Sequence, residues 1–214
     1  MKTILSNISI LMVFGLLLYS CKNNPTEPNL HIQTPTKYQN STLPMFINNK
    51  WAYVDSNYND HGSLIETFLD VQTISEYKIE NNKDWWILNF DNGSTENIRI
   101  KNDSVYFQSK DIGLPNPQLE YLPSQSIKDT AKFNHILPYN NDTYYPVKVY
   151  RYKGKFETPA GSFDSVYVYE SNQFSFRVLE YFKPQIGLLG TDRLSIYNNK
   201  LYEKSRLIYY KLIK

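Results

Sequence analysis

Pro146-Val147-Lys148-Val149-Tyr150-Arg151-Tyr152 alternates aliphatic residues with polar or aromatic ones, and that period of two decides the fold class. Successive side chains of a strand point to opposite faces, whereas a helix repeats every 3.6 residues, so this run reads as a strand with one covered face. Asn97-Ile98-Arg99-Ile100-Lys101 and Ser165-Val166-Tyr167-Val168-Tyr169 repeat the pattern on either side. Trp85-Trp86-Ile87-Leu88-Asn89-Phe90 is denser, as a strand covered on both faces should be. Turn formers punctuate the runs: Asp91-Asn92-Gly93, Lys153-Gly154, Pro159-Ala160-Gly161 and Asn198-Asn199. Residues 124–135, between Pro123 and Pro138, leave room for one short helix begun by Ser124 or Ser126. Residues 110–142, with Pro115, Pro117, Pro123 and Pro138, read as a long excursion over the sheet. The expectation is an all-β, single-domain antiparallel meander with at most one short helix, curved into a half-barrel or sandwich.

The chain has 214 residues, with 23 Lys+Arg against 21 Asp+Glu, and this near balance supplies no field to recruit nucleic acid or an anionic membrane. One Cys forms no internal disulfide, and with three His it excludes the Cys-rich zinc classes. Lys2 followed by the apolar run Ile8 to Leu18 has the charge and length of a signal peptide, shorter than the roughly 20 residues that span a bilayer. The run ends in Leu18-Tyr19-Ser20-Cys21, which resembles the bacterial lipobox. That resemblance implies cleavage before Cys21, a diacylglycerol on its sulfur and often an acyl chain such as palmitate on the new amino group. Lys22 stands where an inner-membrane retention Asp would sit, so the resemblance implies an outer-membrane anchor. Residues 1–20 are then signal peptide, 21–42 a Pro-, Asn- and Thr-rich tether, and 43–214 the β domain.

Catalytic signatures are sparse. His31 falls in the tether, His61 in a polar loop and His135 near Pro138, none at metal-ligand spacing from another. No Gly-x-Ser-x-Gly elbow, phosphate-cradling Gly loop or Ser-x-x-Lys occurs. The chain therefore reads as a non-enzyme without cofactor; an enzyme would need a cleft where His61 or His135 meets carboxylates. Asp55, Asn57, Asn59 and Glu66 occupy positions 1, 3, 5 and 12 of an EF-hand-like register, a calcium pattern. Position 6, where the sharp turn needs Gly, is Asp60, and the flanks read as strands, so a polar hairpin explains the same residues.

Three further stretches carry a family resemblance: Leu43-Pro44-Met45-Phe46-Ile47-Asn48-Asn49-Lys50-Trp51-Ala52-Tyr53, Thr158-Pro159-Ala160-Gly161-Ser162-Phe163 and Tyr181-Phe182-Lys183-Pro184-Gln185-Ile186-Gly187-Leu188. In order and spacing the domain is similar to a broad group of uncharacterised exported lipoproteins of Bacteroidota. It departs where that group has Gly before the Trp and before Val/Ile-Gly-Leu, here Asn49 and Gln185. The resemblance implies an envelope lipoprotein and no activity. The first functional expectation is a lipid-anchored, non-enzymatic binding or interaction module with an envelope protein as partner. The alternative is a carrier or sensor of an apolar ligand. The 15% aromatic content reads as rings packing the core and rim of a sheet rather than lining a ligand groove. The inner face discriminates between the two expectations: rings that fill it exclude a carrier, and a hollow of several hundred Å³ favours one.

Overall fold

The computed structural model describes residues 41–109, 118–122, 127, 130–137 and 140–213. Fourteen strands and no helix occur among them: β1 (Lys50–Tyr58), β2 (Leu64–Glu80), β3 (Lys83–Phe90), β4 (Thr95–Lys101), β5 (Ser104–Ser109), β6 (Gln118–Tyr121), β7 (Thr130–Leu137), β8 (Asn140–Arg151), β9 (Phe156–Thr158), β10 (Gly161–Phe163), β11 (Tyr167–Gln173), β12 (Phe176–Lys183), β13 (Gly187–Ser195) and β14 (Leu201–Lys211). Twelve form one antiparallel sheet in the order β6-β5-β4-β3-β2-β1-β14-β13-β12-β11-β8-β7, while β9 and β10 pair with each other. The sheet curls into a nearly closed barrel.

Short turns set its registers. Asn81-Asn82 joins β2 to β3 and Asn102-Asp103 joins β4 to β5, with all four residues at φ between 50° and 62°. Two consecutive positive φ values make the tight hairpin turn whose twist matches the strands, and Asn and Asp tolerate it best after Gly. β3 is buried on both faces from Trp85 to Leu88, as its unbroken apolar run requires. Inside, Ile74, Trp86, Ile98, Val105, Val149, Phe182, Leu189 and Leu207 form the centre of the core. Burying each aliphatic or Phe side chain contributes about 1.5–3 kcal/mol.

Two sequence expectations are corrected. The short helix over 124–135 is not formed where it is described: Thr130 to His135 belong to β7, because Ala131, Phe133 and His135 share one face of a two-residue period. The stretch 110–142 is not simply an excursion, since it supplies β6, β7 and the start of β8, which extend the sheet at its two edges.

The chain's own approach to β1 packs against the barrel. Leu43 and Met45 are buried beneath the strands. Asn49, fully buried, ties three segments together. Its amide nitrogen donates to the Pro44 carbonyl (2.9 Å), its amide oxygen accepts from the Ile213 N–H (2.7 Å), and its own carbonyl accepts from the Ile74 N–H (2.9 Å). On the outer surface the β9–β10 hairpin, which contains the Thr158–Phe163 motif, lies over β12 to β14. Phe156 stacks on Tyr181 at 4.1 Å, Phe163 approaches Tyr210, and the Ala160 N–H donates to the Leu207 carbonyl.

Candidate functional site, an acid-rich aromatic cavity

The barrel interior is not filled. A cavity of about 350 Å³ remains between its walls, more than twice the roughly 150 Å³ apolar void that accepts benzene. Its base is made by Leu43, Trp51, Gly187 and Leu188, and one wall by Leu88, Phe90, Ile98 and Phe107. Tyr53, Tyr121 and Phe182 complete the apolar lining. Among the described residues the polar lining is Gln72, Glu96, Gln118, Glu120 and His135.

The Tyr181–Leu188 motif builds the base. Gly187 stands at φ 114°, and a Cβ there would press on the Leu43 side chain at 3.1 Å and on the Trp51 indole at 3.3 Å. Only glycine lets the ring lie this close. The Trp51 indole N–H then donates to the Ile186 carbonyl (2.7 Å), and the Tyr53 hydroxyl donates to the Leu188 carbonyl (3.0 Å). A bulge in the β12–β13 pairing opposes Tyr181-Phe182 to Leu188-Leu189-Gly190, so Leu188 lines the cavity while the next residue, Leu189, is fully buried. Gln185 holds a left-handed φ of 66°, a conformation that glycine takes without strain.

The other notable wall is the seam. β6 and β7 end the strand order, and among the described residues side chains join them rather than a ladder. Nε2 of His135 on β7 lies 2.8 Å from Oε2 of Glu120 on β6, and Nδ1 lies 2.8 Å from the Tyr145 hydroxyl. With the imidazole neutral, Nε2–H donates to the carboxylate and Nδ1 accepts the phenol proton. Burial, reinforced by Glu120 and Glu180, drives the Tyr145 hydroxyl above its ordinary range, which keeps that proton on the phenol. Across the interior the Tyr169 hydroxyl accepts from the Leu122 N–H (3.1 Å), bracing the β6 side of the seam.

Several carboxyl groups are drawn out of water. Burial first, and Glu120 second, push the Glu180 carboxyl up to about 8, against the pull of His135 and Arg193. Asp55 and Asp70 are also raised, in both cases chiefly by burial, with Asp91 adding to the effect. Hydrogen bonds from Ser205 and Gln72 oppose those shifts.

Of the residues singled out by sequence, Cys21 and His31 lie outside the described residues, as does the tether before Ser41. His61 sits in the exposed β1–β2 turn. Asp55 and Asn57 are on β1 and Glu66 on β2, in a hairpin rather than a helix–loop–helix. The Asn57 amide donates to Glu66 (2.9 Å), and the Asn59 side chain accepts from the His61 and Ser63 N–H groups. Among the described residues no three His, Cys, Asp or Glu side chains gather in a way that would hold a metal ion. His135 does meet a carboxylate, at the cavity wall. Glu96, Glu120 and Glu180 were not singled out, because they come from three separate strands. Glu96 in phase with Ile98 and Ile100, and Glu180 in phase with Val178 and Phe182, carry the signal: a charge at an inward position of the period.

No protein-family model matches the chain, and no curated protein matches it. Among solved structures it is similar to a Bacteroides fragilis protein described as a "putative exported protein with YMCC-like fold", with a TM-score of 0.50 and 14% identity over 80% of this chain and 99% of that one. Another is a "putative lipoprotein" from Parabacteroides distasonis, with a TM-score of 0.45 and 16% identity over 80% of this chain and 99% of that one. The first likeness shows the fold: the β domain has the YMCC-like architecture.

Proposed function

We propose that this chain is a cell-envelope lipoprotein, anchored to the outer membrane through Cys21, whose barrel carries or senses a small apolar ligand without catalysing its conversion. The observation that carries the reading is the hollow interior, about 350 Å³ behind a largely apolar lining, within the roughly 300–1,000 Å³ of ligand sites. It reverses the order of the two sequence expectations: the aromatic rings pack the walls and leave room between them, so the carrier reading leads the interaction-module reading. The lipobox at residues 18–21 supports the anchor, and the exported Bacteroides fragilis protein of similar fold fits the same compartment. The Glu120–His135–Tyr145 chain is the feature that would suit acid–base chemistry, but it joins the two edge strands of the barrel, which accounts for it structurally.

The test is calorimetric titration of the lipoprotein, held in nanodiscs, with 1-naphthalenemethanol. Saturable binding that vanishes in Leu188→Trp, where the indole fills the base of the cavity, supports the reading. Absence of saturable binding, or binding indifferent to that substitution, overturns it. For the anchor, Cys21→Ala should move the protein to the soluble fraction, and persistent membrane association refutes it.

A further inference from the structure

We propose that two copies of this chain pair edge to edge through β2, joining their sheets in an antiparallel contact centred on Thr67 of each. The contact uses the segment from Leu64 to Asp70 and needs neither the cavity nor a ligand in it.

β2 is 17 residues long, and its two neighbours cover it unequally. β1 pairs it from Leu64 to Thr73, whereas β3 reaches only as far as Gln72, opposite Phe90. Among the described residues no strand pairs the other edge from Leu64 to Asp70, and the six residues from Leu64 to Leu69 are exposed. Four of them are large and apolar: Leu64, Ile65, Phe68 and Leu69 expose between 48% and 64% of their surface. No Lys or Pro, the residues that most often blunt such an edge, stands between Leu64 and Asp70. The backbone is set to receive a strand. In an antiparallel ladder the N–H and C=O of one residue point the same way, and the direction alternates along the chain. The Asp91 N–H donates to the Val71 carbonyl (3.0 Å), so the backbone groups of Val71 face away from β1. Leu69 and Thr67 are in phase with Val71 and turn theirs to the open edge, where an added strand would pair with them.

The occupant is a second copy because the segment is complementary to itself in one register. A twofold axis through the joined sheet pairs residues of the same face, so the contact is centred on a single residue. Centred on Glu66, two carboxylates would face each other directly. Centred on Phe68, Glu66 would face the partner's Asp70, and the symmetry would repeat that clash. Like charges directly opposite are destabilising. Centres farther out run into the β3–β4 turn at one end or leave the strand at the other. Centred on Thr67, the two Thr67 residues exchange backbone hydrogen bonds, Leu69 meets the partner's Ile65, and Phe68 meets the partner's Glu66. No acid then faces an acid. The Asn57 amide donates to Glu66 (2.9 Å) and draws that carboxylate toward β1, away from the open edge.

The test is disulfide trapping of the full chain in native membranes. Thr67→Cys puts two thiols on opposed residues of a hydrogen-bonded pair, whose Cα atoms stand about 5.5 Å apart, within disulfide reach. Mild oxidation should give a covalent dimer on a non-reducing gel, with the native chain, which carries Cys21 alone, as the blank. Leu69→Cys should give none, because the two residues 69 would lie about 13 Å apart along the strands. Thr67→Pro removes only a donor that faces the open edge. It should raise the dimer dissociation constant of the detergent-solubilised chain about tenfold, read by sedimentation equilibrium. If that variant does not fold, the two cysteine variants decide alone. No trapping at Thr67, or equal trapping at Thr67 and Leu69, overturns the proposal.

Discussion

Two consecutive residues of β12 belong to two different aromatic clusters. Tyr181 faces outward and stacks on Phe156 at 4.1 Å and 22°; Phe182 faces inward and stacks on Tyr121 at 4.1 Å and 20°. The stacking geometry is nearly the same and the surroundings are not. Outside, the rings are roofed by the β9–β10 hairpin, Tyr181 donates to Asp192 (2.9 Å), and Asp192 is matched by Arg206. Inside, the rings border open volume, and Glu120 lies close enough to add to the burial that raises the Glu180 carboxyl. The outer cluster is what this sequence builds when it needs only to hold strands together. The contrast is between a filled cluster and one that borders the proposed ligand site.

Truncation of one ring on each side tests that contrast most severely. Phe156→Ala opens a void in a filled cluster and should cost about 3–5 kcal/mol, read as a lower melting temperature in scanning calorimetry, without altering probe affinity. Phe107→Ala, whose ring already borders the cavity, should cost only about 1–2 kcal/mol and shift binding toward larger probes. Equal costs would mean that both sides are packed alike.

Asn49→Ala comes next. It leaves the Pro44 carbonyl and the Ile213 N–H without their partner, at about 1–3 kcal/mol each, and should lower the urea midpoint without changing the slope.

The acid-rich interior gives an effect that depends on pH and has a definite sign. Glu180 holds its proton more tightly folded than unfolded, with its pKa raised from 4.5 to about 8. The resulting stabilisation is complete below about 4.5 and is lost as pH rises through about 8. Glu180→Gln should therefore flatten the fall in melting temperature over that window and be the more stable form at its upper end. Each 1 kcal/mol involved corresponds to about 2–4 °C in a chain of this size. A variant that follows the native pH profile would remove Glu180 from the interior electrostatics. Least of all, Gln185→Gly should raise stability by at most about 1 kcal/mol, since relief of a left-handed residue is partly offset by the freer unfolded chain.

Much of the barrel is visible in the residues themselves. The alternation in 146–152, the continuous run 85–90 and the Asn-Gly and Pro-Ala-Gly turns each map onto a strand or hairpin, because these signals are local. What sequence could not supply is whatever depends on closure. Glu120 and His135 are 15 residues apart on opposite edges of a twelve-stranded sheet, and only curvature brings them to 2.8 Å. The same holds for the cavity, whose lining runs from Leu43 to Leu188 and whose volume is set by side-chain sizes on strands far apart in the chain. The two Asn-containing hairpin turns at 81–82 and 102–103 were legible in principle, but without glycine they pass for ordinary polar loops.

The segment entering β1 has a mechanical consequence. The Thr42 N–H donates to the Asp103 carboxylate (2.6 Å), the Thr42 carbonyl accepts from the Gln185 N–H (2.8 Å), and Asn49 clasps both Pro44 and Ile213. A pull arriving from the chain before Ser41 is thus divided among the β4–β5 turn, the β12–β13 turn and the carboxyl-terminal end before it reaches the first strand. Tension spread over several parallel bonds must break them together, whereas a strand drawn off its neighbour gives way one bond at a time. A barrel held in this way at its first strand can be tugged there and keep its interior shape.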